Sequence, residues 1–277
     1  MRAAIAQTTT GIDPAANAAT LAEHVRAAKA EGADILFTPE MSGLLDRDRA
    51  RMMGHVRTEA EDPLLAAIRD EAARQGLWVH LGSLALRDED PDSACFVNRS
   101  LLIDSSGEIR ARYDKIHLYD VDLPSGESYR ESALYRAGDK AVVADTPWGR
   151  MGLSICYDLR FAELYQRLTD AGATLIAIPA AFTVPTGQAH WHILQRARAI
   201  EAGVHVIAAA QTGLHEDGRR TFGHSLVVDP WGALLLDMGE EAGLGLIDID
   251  LEEVRRVRER VPAIDHRRPI PSVGGDR

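Results

Sequence analysis

The chain has 277 residues, 45% of them apolar and 26% charged, the make-up of a soluble globular enzyme with a sizeable core. Its 31 Lys and Arg against 42 Asp and Glu leave a net charge of −11, which repels phosphate backbones and anionic lipid and so excludes nucleic-acid and membrane partners. Cys95 and Cys156 form no C-x-x-C pair, no signal-peptide pattern opens the chain and no apolar run reaches bilayer length, so the expected setting is the reducing cytoplasm.

In chain order, residues 3–7 read as a short buried strand. Residues 17–30 form a helix with Leu21, Val25 and Ala28 on one face, and 34–38 a second buried strand that ends at Pro39-Glu40. A helix over 63–75 opens on proline and closes at Gly76. Residues 77–85, 94–104 and 108–113 read as antiparallel strands, and periodicity then fails over 115–139, the mark of a functional loop. Strands over 141–144 and 151–155 lead to a helix over 161–171. A strand over 174–179, a helix over 190–202 and a strand over 204–210 follow. Strands over 225–229, 234–237 and 244–250 close the pattern, with a charged helix over 251–261 and a tail from about 262. This alternation predicts one α/β domain over 1–277, with helices covering a mixed sheet and no internal repeat.

Several chemistries fail on the residues. Neither G-x-G-x-x-G nor a P-loop occurs, and Gly152-Leu153-Ser154-Ile155-Cys156 has Cys where a serine elbow needs its second Gly. His190 and His192 project about 200° apart on a helix, and no carboxylate motif accompanies them, so neither a metal nor another cofactor is expected. What remains is Cys156 at a strand-to-helix turn, where the following N–H groups and the helix N-terminus favour a nucleophile. Lysine is rare here: only Lys29, Lys115 and Lys140 among the 31 cations. Glu40, Lys115 and Cys156 all follow apparent strands, where ligands gather in open α/β sheets. Such a trio suits acyl transfer through a thioester. Glu40, its pKa raised by desolvation, is the base; Lys115 lowers the thiol pKa and stabilises an oxyanion; Cys156 attacks.

Pro39-Glu40, the segment Tyr113-Asp114-Lys115-Ile116-His117-Leu118 and Cys156-Tyr157-Asp158-Leu159-Arg160-Phe161 resemble the Glu–Lys–Cys motifs of the nitrilase superfamily of carbon–nitrogen hydrolases. The likeness continues in order through Tyr129-Arg130-Glu131-Ser132, Gly187-Gln188-Ala189-His190-Trp191 and Asp229-Pro230-Trp231-Gly232. Within it, Ala208-Ala209-Ala210-Gln211-Thr212-Gly213 and Phe182-Thr183-Val184-Pro185-Thr186-Gly187 look most like the deaminated-glutathione amidase branch, with the omega-amidase branch next.

The resemblance implies a four-layer α-β-β-α sandwich that dimerises through a helical face, with higher homo-oligomers open. It implies Glu131 as the glutamate that orients Lys115, with Glu127 a solvated loop charge, and the Tyr157 N–H as a second oxyanion donor. A small carboxylate-bearing amide is the expected substrate, Arg160 gripping its carboxylate while Phe182 and Thr183 line the cleft. One departure stands out: His192 occupies a position where this branch commonly has Glu. A carbamoyl-amide or aliphatic amide hydrolase would use the same trio, and a catalytically silent binding protein on this fold is the reading from another class.

Overall fold

A computed structural model describes residues 1–90, 93, 95–123 and 126–270. The chain begins with β1 (Arg2–Gln7), α1 (Pro14–Ala30), β2 (Ile35–Phe37), α2 (Arg49–His55) and α3 (Pro63–Gln75). The strands β3 (Trp78–Arg87), β4 (Phe96–Ile103) and β5 (Ile109–Asp114) follow, then a small hairpin of β6 (Asp120–Asp122) and β7 (Ser128–Arg130). The second half runs β8 (Val142–Thr146), β9 (Gly149–Leu153), α4 (Ala162–Asp170), β10 (Leu175–Ala177), α5 (Val184–Ala202) and β11 (His205–Ala208). A hairpin of β12 (Thr212–Leu214) and β13 (Arg220–Phe222) precedes β14 (Leu226–Val228), β15 (Leu234–Asp237), β16 (Gly243–Asp248) and α6 (Glu252–Arg260).

Alternation along the strands builds the layers. Ala3 and Ile5 of β1 and Ile35 and Phe37 of β2 point into a core shared with the second sheet, whereas Ala4, Ala6 and Leu36 point the other way, onto Leu21 and Val25 of α1 and Leu65 and Ile68 of α3. The second sheet is covered on its far side by α4 and α5, through Leu164, Leu168, Trp191 and Ala199. The result is α-β-β-α, and the mixed sheet expected from sequence is two mixed sheets face to face. Among the described residues no helix is long and apolar enough to cross a membrane.

Their orders are β16-β1-β2-β3-β4-β5 and β8-β9-β10-β11-β14-β15. Read in that direction, both sheets show the same succession: antiparallel, parallel, parallel, antiparallel, antiparallel. The topology is thus repeated although the sequence shows no repeat. Topology is carried by the order of apolar periods, not by residue identity.

Other departures have local causes. Helix α5 starts at Val184, not residue 190, because Thr183 takes extended cap geometry and Pro185 suits the first turn. Helix α2, capped by the Asp48 side chain, was not foreseen, and the 115–139 loop contains the β6–β7 hairpin. Of the tail, Arg267 reaches Asp170 at the end of α4 (2.7 Å), while residues 271–277 lie outside the described residues, as does Ala94 at the start of the expected 94–104 strand.

Candidate active site

Strand ends of both sheets converge on one cleft of about 450 Å³. Glu40 lies just past β2. Its segment rests directly on β3: a Cβ at Gly82 would stand 2.0 Å from the Thr38 carbonyl oxygen, so only glycine fits there. Lys115 follows β5, its N–H bonded to the Asn98 carbonyl (2.9 Å), and Glu131 opens a single turn after β7. Cys156 begins a 3₁₀ turn, Cys156–Arg160, after β9. It has φ 48°, the left-handed region that costs a side-chain-bearing residue about 1–2 kcal/mol. Its N–H bonds Pro179 O (2.9 Å), which ties the elbow to the neighbouring strand end.

The buried Lys115 Nζ donates to Glu40 Oε1 (2.9 Å) and to both oxygens of Glu131 (3.1 and 2.9 Å). Glu40 Oε2 accepts from the Ala181 N–H (2.9 Å) and Glu131 Oε2 from the Tyr119 N–H (2.6 Å), while Cys156 lines the same cleft as the Glu40 carboxylate. A residue missed from sequence joins them: Asn98 Nδ2 donates to Glu40 Oε1 (3.0 Å) and Glu131 Oε1 (3.1 Å). A polar residue inside the apolar strand 96–103 was its signal.

A second missed group stands behind Cys156. Asp158, wholly buried, accepts at Oδ2 from the Tyr113 hydroxyl (2.7 Å) and the Ile155 N–H (2.9 Å), and at Oδ1 from the His117 N–H (3.0 Å) and ring Nδ1 (2.7 Å). Tyr113 and His117 flank Lys115, and Ile155 precedes Cys156. One carboxylate therefore fastens the Lys115 segment to the turn that carries Cys156.

Burial opposes charge throughout this cluster. It acts to raise the Glu40 carboxyl, but the Lys115 ammonium and the hydrogen bonds from Lys115, Cys156 and Asn98 hold Glu40 below the usual carboxylate range. Burial and the Glu40 charge push the Cys156 thiol well above its ordinary value, against the pull of Lys115. Burial would lower Lys115, yet Glu131 and Glu40 outweigh it and keep the ammonium. Two expectations are thereby corrected: Glu40 is lowered, not raised, and the thiol is raised, not lowered. The Lys115 ammonium stabilises the Glu40 anion first, leaving a neutral thiol facing an ionised carboxylate.

Tyr157, Arg160, Phe182 and Thr183 line the same cleft as Glu40, Lys115, Glu131 and Cys156. Arg160 lies 5.6 Å from the Phe182 ring and 5.8 Å from the Tyr157 ring, donates to His190 Nδ1 (3.3 Å) and makes no ion pair among the described residues. Glu127 is at the cleft wall, its side chain 42% exposed, where it meets Arg47 (3.4 Å). His192 is not in the cleft lining; it bonds Asp237.

The model of the family described as carbon-nitrogen hydrolase matches residues 2–259. The chain belongs to the carbon–nitrogen hydrolase family. It is 42% identical over 244 residues to the deaminated glutathione amidase of Yersinia enterocolitica, covering 87% of this chain and 84% of that one. To the human deaminated glutathione amidase it is 40% identical over 268 residues, covering 96% and 82%. The crystal structure of the C. elegans NitFhit protein superposes with a TM-score of 0.87 at 38% identity, over 96% of this hydrolase and 65% of that longer chain. Fold and family agree with the expectation, and the protein is an amidase-type hydrolase of carbon–nitrogen bonds.

Proposed function

We propose that this hydrolase cleaves a small carboxylate-bearing amide, of deaminated-glutathione or omega-amide type, to a carboxylate and ammonia through a Cys156 thioester. The observation that carries this reading is the Glu40–Lys115–Glu131–Cys156 cluster at one cleft that also holds the Arg160 cation, which makes no ion pair among the described residues. The names of the relatives support the substrate class.

Cys156 Sγ attacks the amide carbon as its proton passes to Glu40. Because the thiol is raised and the carboxylate is lowered, the resting pair keeps the proton on sulfur and the base free. Lys115 Nζ and the Tyr157 N–H stabilise the tetrahedral oxyanion; Glu131 and Asn98 hold Lys115 and Glu40 in place. Glu40 gives its proton to the departing nitrogen, and ammonia leaves. Glu40 then deprotonates a water that attacks the thioester carbon, and the proton it gained returns to the sulfur as the acid is released. Arg160 pairs with the substrate carboxylate beside Phe182 and Thr183.

The enzyme is read as a homodimer: Ile193 and Ile200, two turns apart on α5, stand exposed, Ile200 beside the exposed Trp231, and offer an apolar face to a second copy. Two free cysteines suit a reducing cytoplasm. The test is ammonia release from omega-amides, deaminated glutathione, carbamoyl amino acids and simple aliphatic amides. Cys156→Ala is expected to release none, and turnover that survives it overturns the mechanism. Carbon dioxide accompanying the ammonia would instead assign a carbamoyl-amide hydrolase.

A further inference from the structure

The geometry points to a second site away from the catalytic cleft: His192, His224 and Asp237 form a two-histidine, one-carboxylate seat for a single divalent transition-metal ion, with Zn²⁺ the cation best suited to these donors. His192 Nε2 lies 2.9 Å from Asp237 Oδ2, and His224 Nδ1 lies 2.9 Å from Asp237 Oδ1. One ligand atom from each residue falls within 4.8 Å of the others. Ligand atoms held about 2.0–2.1 Å from a tetrahedral zinc stand roughly 3.3 Å apart, within that span. Two imidazoles and a carboxylate suit Zn²⁺ and its first-row neighbours rather than Ca²⁺ or Mg²⁺, which take oxygen ligands.

The three donors come from separate elements, and hydrogen bonds among those elements hold them together. His192 sits on α5 directly after Trp191, which is fully buried and donates from Nε1 to the His224 carbonyl (2.8 Å). His224 has φ 55°, and its N–H bonds Gly239 O (2.7 Å), so its backbone is fixed in the left-handed region on both sides of the ring. Asp237, on β15, accepts from the Gly239 N–H (3.0 Å), the kind of outer hydrogen bond that orients a ligating carboxylate. Phe222 stacks against the His224 ring with centroids 4.5 Å apart and forms an apolar wall. The side chains of His192, His224 and Asp237 remain 34, 22 and 26% exposed, which leaves an entry path and a coordination position for water. His190, two residues away, turns to Arg160 and takes no part.

Binding breaks no covalent bond to carbon and transfers no electrons. Each imidazole nitrogen facing Asp237 gives up its proton, to the other ring nitrogen by a tautomer change or to solvent, and its lone pair goes to the metal. The site is independent of the amide chemistry.

Thiols would compete for zinc, so the test uses the folded chain carrying Cys95→Ala and Cys156→Ala. ZnCl₂ titration by calorimetry is expected to show one ion per chain, Co²⁺ to give the visible absorption of a tetrahedral complex, and Zn²⁺ to raise the melting temperature. His192→Gln, His224→Gln and Asp237→Asn, each checked for folding by circular dichroism, should weaken uptake by roughly 100-fold or more, beyond the effect of losing an outer hydrogen bond. Absence of one-to-one uptake in the thiol-free chain overturns the proposal. So does uptake that persists unchanged in any folded variant of the three.

Discussion

Asp158→Asn tests whether one buried carboxylate holds the active site together. The aspartate accepts four hydrogen bonds, two on each oxygen, at 2.7–3.0 Å. An amide keeps the shape but turns one oxygen into an NH₂ donor. Placed at Oδ2, that NH₂ meets the Tyr113 hydroxyl, which can rotate to accept, and the Ile155 N–H, which cannot. Placed at Oδ1, it meets the His117 ring, which can change tautomer, and the His117 N–H, which cannot. Either orientation loses one charge-assisted bond, about 1.5–3 kcal/mol, and strands one buried N–H at about 1–3 kcal/mol. The expected loss is therefore about 2.5–6 kcal/mol, a large share of a typical stability of roughly 5–15 kcal/mol. It is read as a lower urea midpoint with an unchanged m-value. The elbow and the lysine segment loosen together, so kcat should fall about 10–100-fold at a temperature where the variant is still folded, with KM little changed. A variant with the wild-type midpoint, or with kcat within about twofold of wild type, would refute the tether.

Glu131→Gln leaves Lys115 with one carboxylate in place of two and should lower kcat about 100-fold in the ammonia assay, with KM nearly constant; an unaltered kcat removes Glu131 from the machinery. Arg160→Lys keeps the charge and loses the planar fork, so KM for carboxylate-bearing amides should rise about tenfold while uncharged amides are unaffected; equal effects on both would sink the carboxylate grip. His80 is buried against Ser100, and burial lowers its pKa to about 3, whereas an unfolded imidazole titrates near 6.5. As pH falls below about 6.5 the unfolded chain takes up a proton that the folded one refuses, so His80 removes up to about 1.4 kcal/mol of stability per pH unit until about 3. His80→Leu should flatten the acid limb of stability by that slope, and parallel limbs in urea titrations would contradict the reasoning.

Much of the site could be read in the sequence because a strand that stops at a charged or nucleophilic residue announces a sheet edge. Glu40, Lys115 and Cys156 each follow such a strand. The bonds that organise them could not be read. Asn98 and Asp158 act across 58 and 41 positions of chain on Glu40 and His117, and nothing in local periodicity encodes a distant partner. The directions of the Glu40 and Cys156 shifts were misread for the same reason. They depend on how many anions share one ammonium, a property of the folded cluster rather than of residue types. In the fold, the buried strands and the amphipathic helices were legible, whereas β6, β7, β12 and β13 have three residues each, too few to show a period of two. The start of α5 was obscured because its first turn carries Pro185 and Gly187, which look like loop.

The pairing of β16 with β1 joins residues nearly a whole chain apart, such as Arg2 with Asp248. During synthesis the edge of β1 stays bare until the last strand leaves the ribosome, and closing so long a loop is slow. Until that seam is zipped, β1 is held within its sheet by β2 alone. The first strand to be made is thus among the last to gain its full set of neighbours.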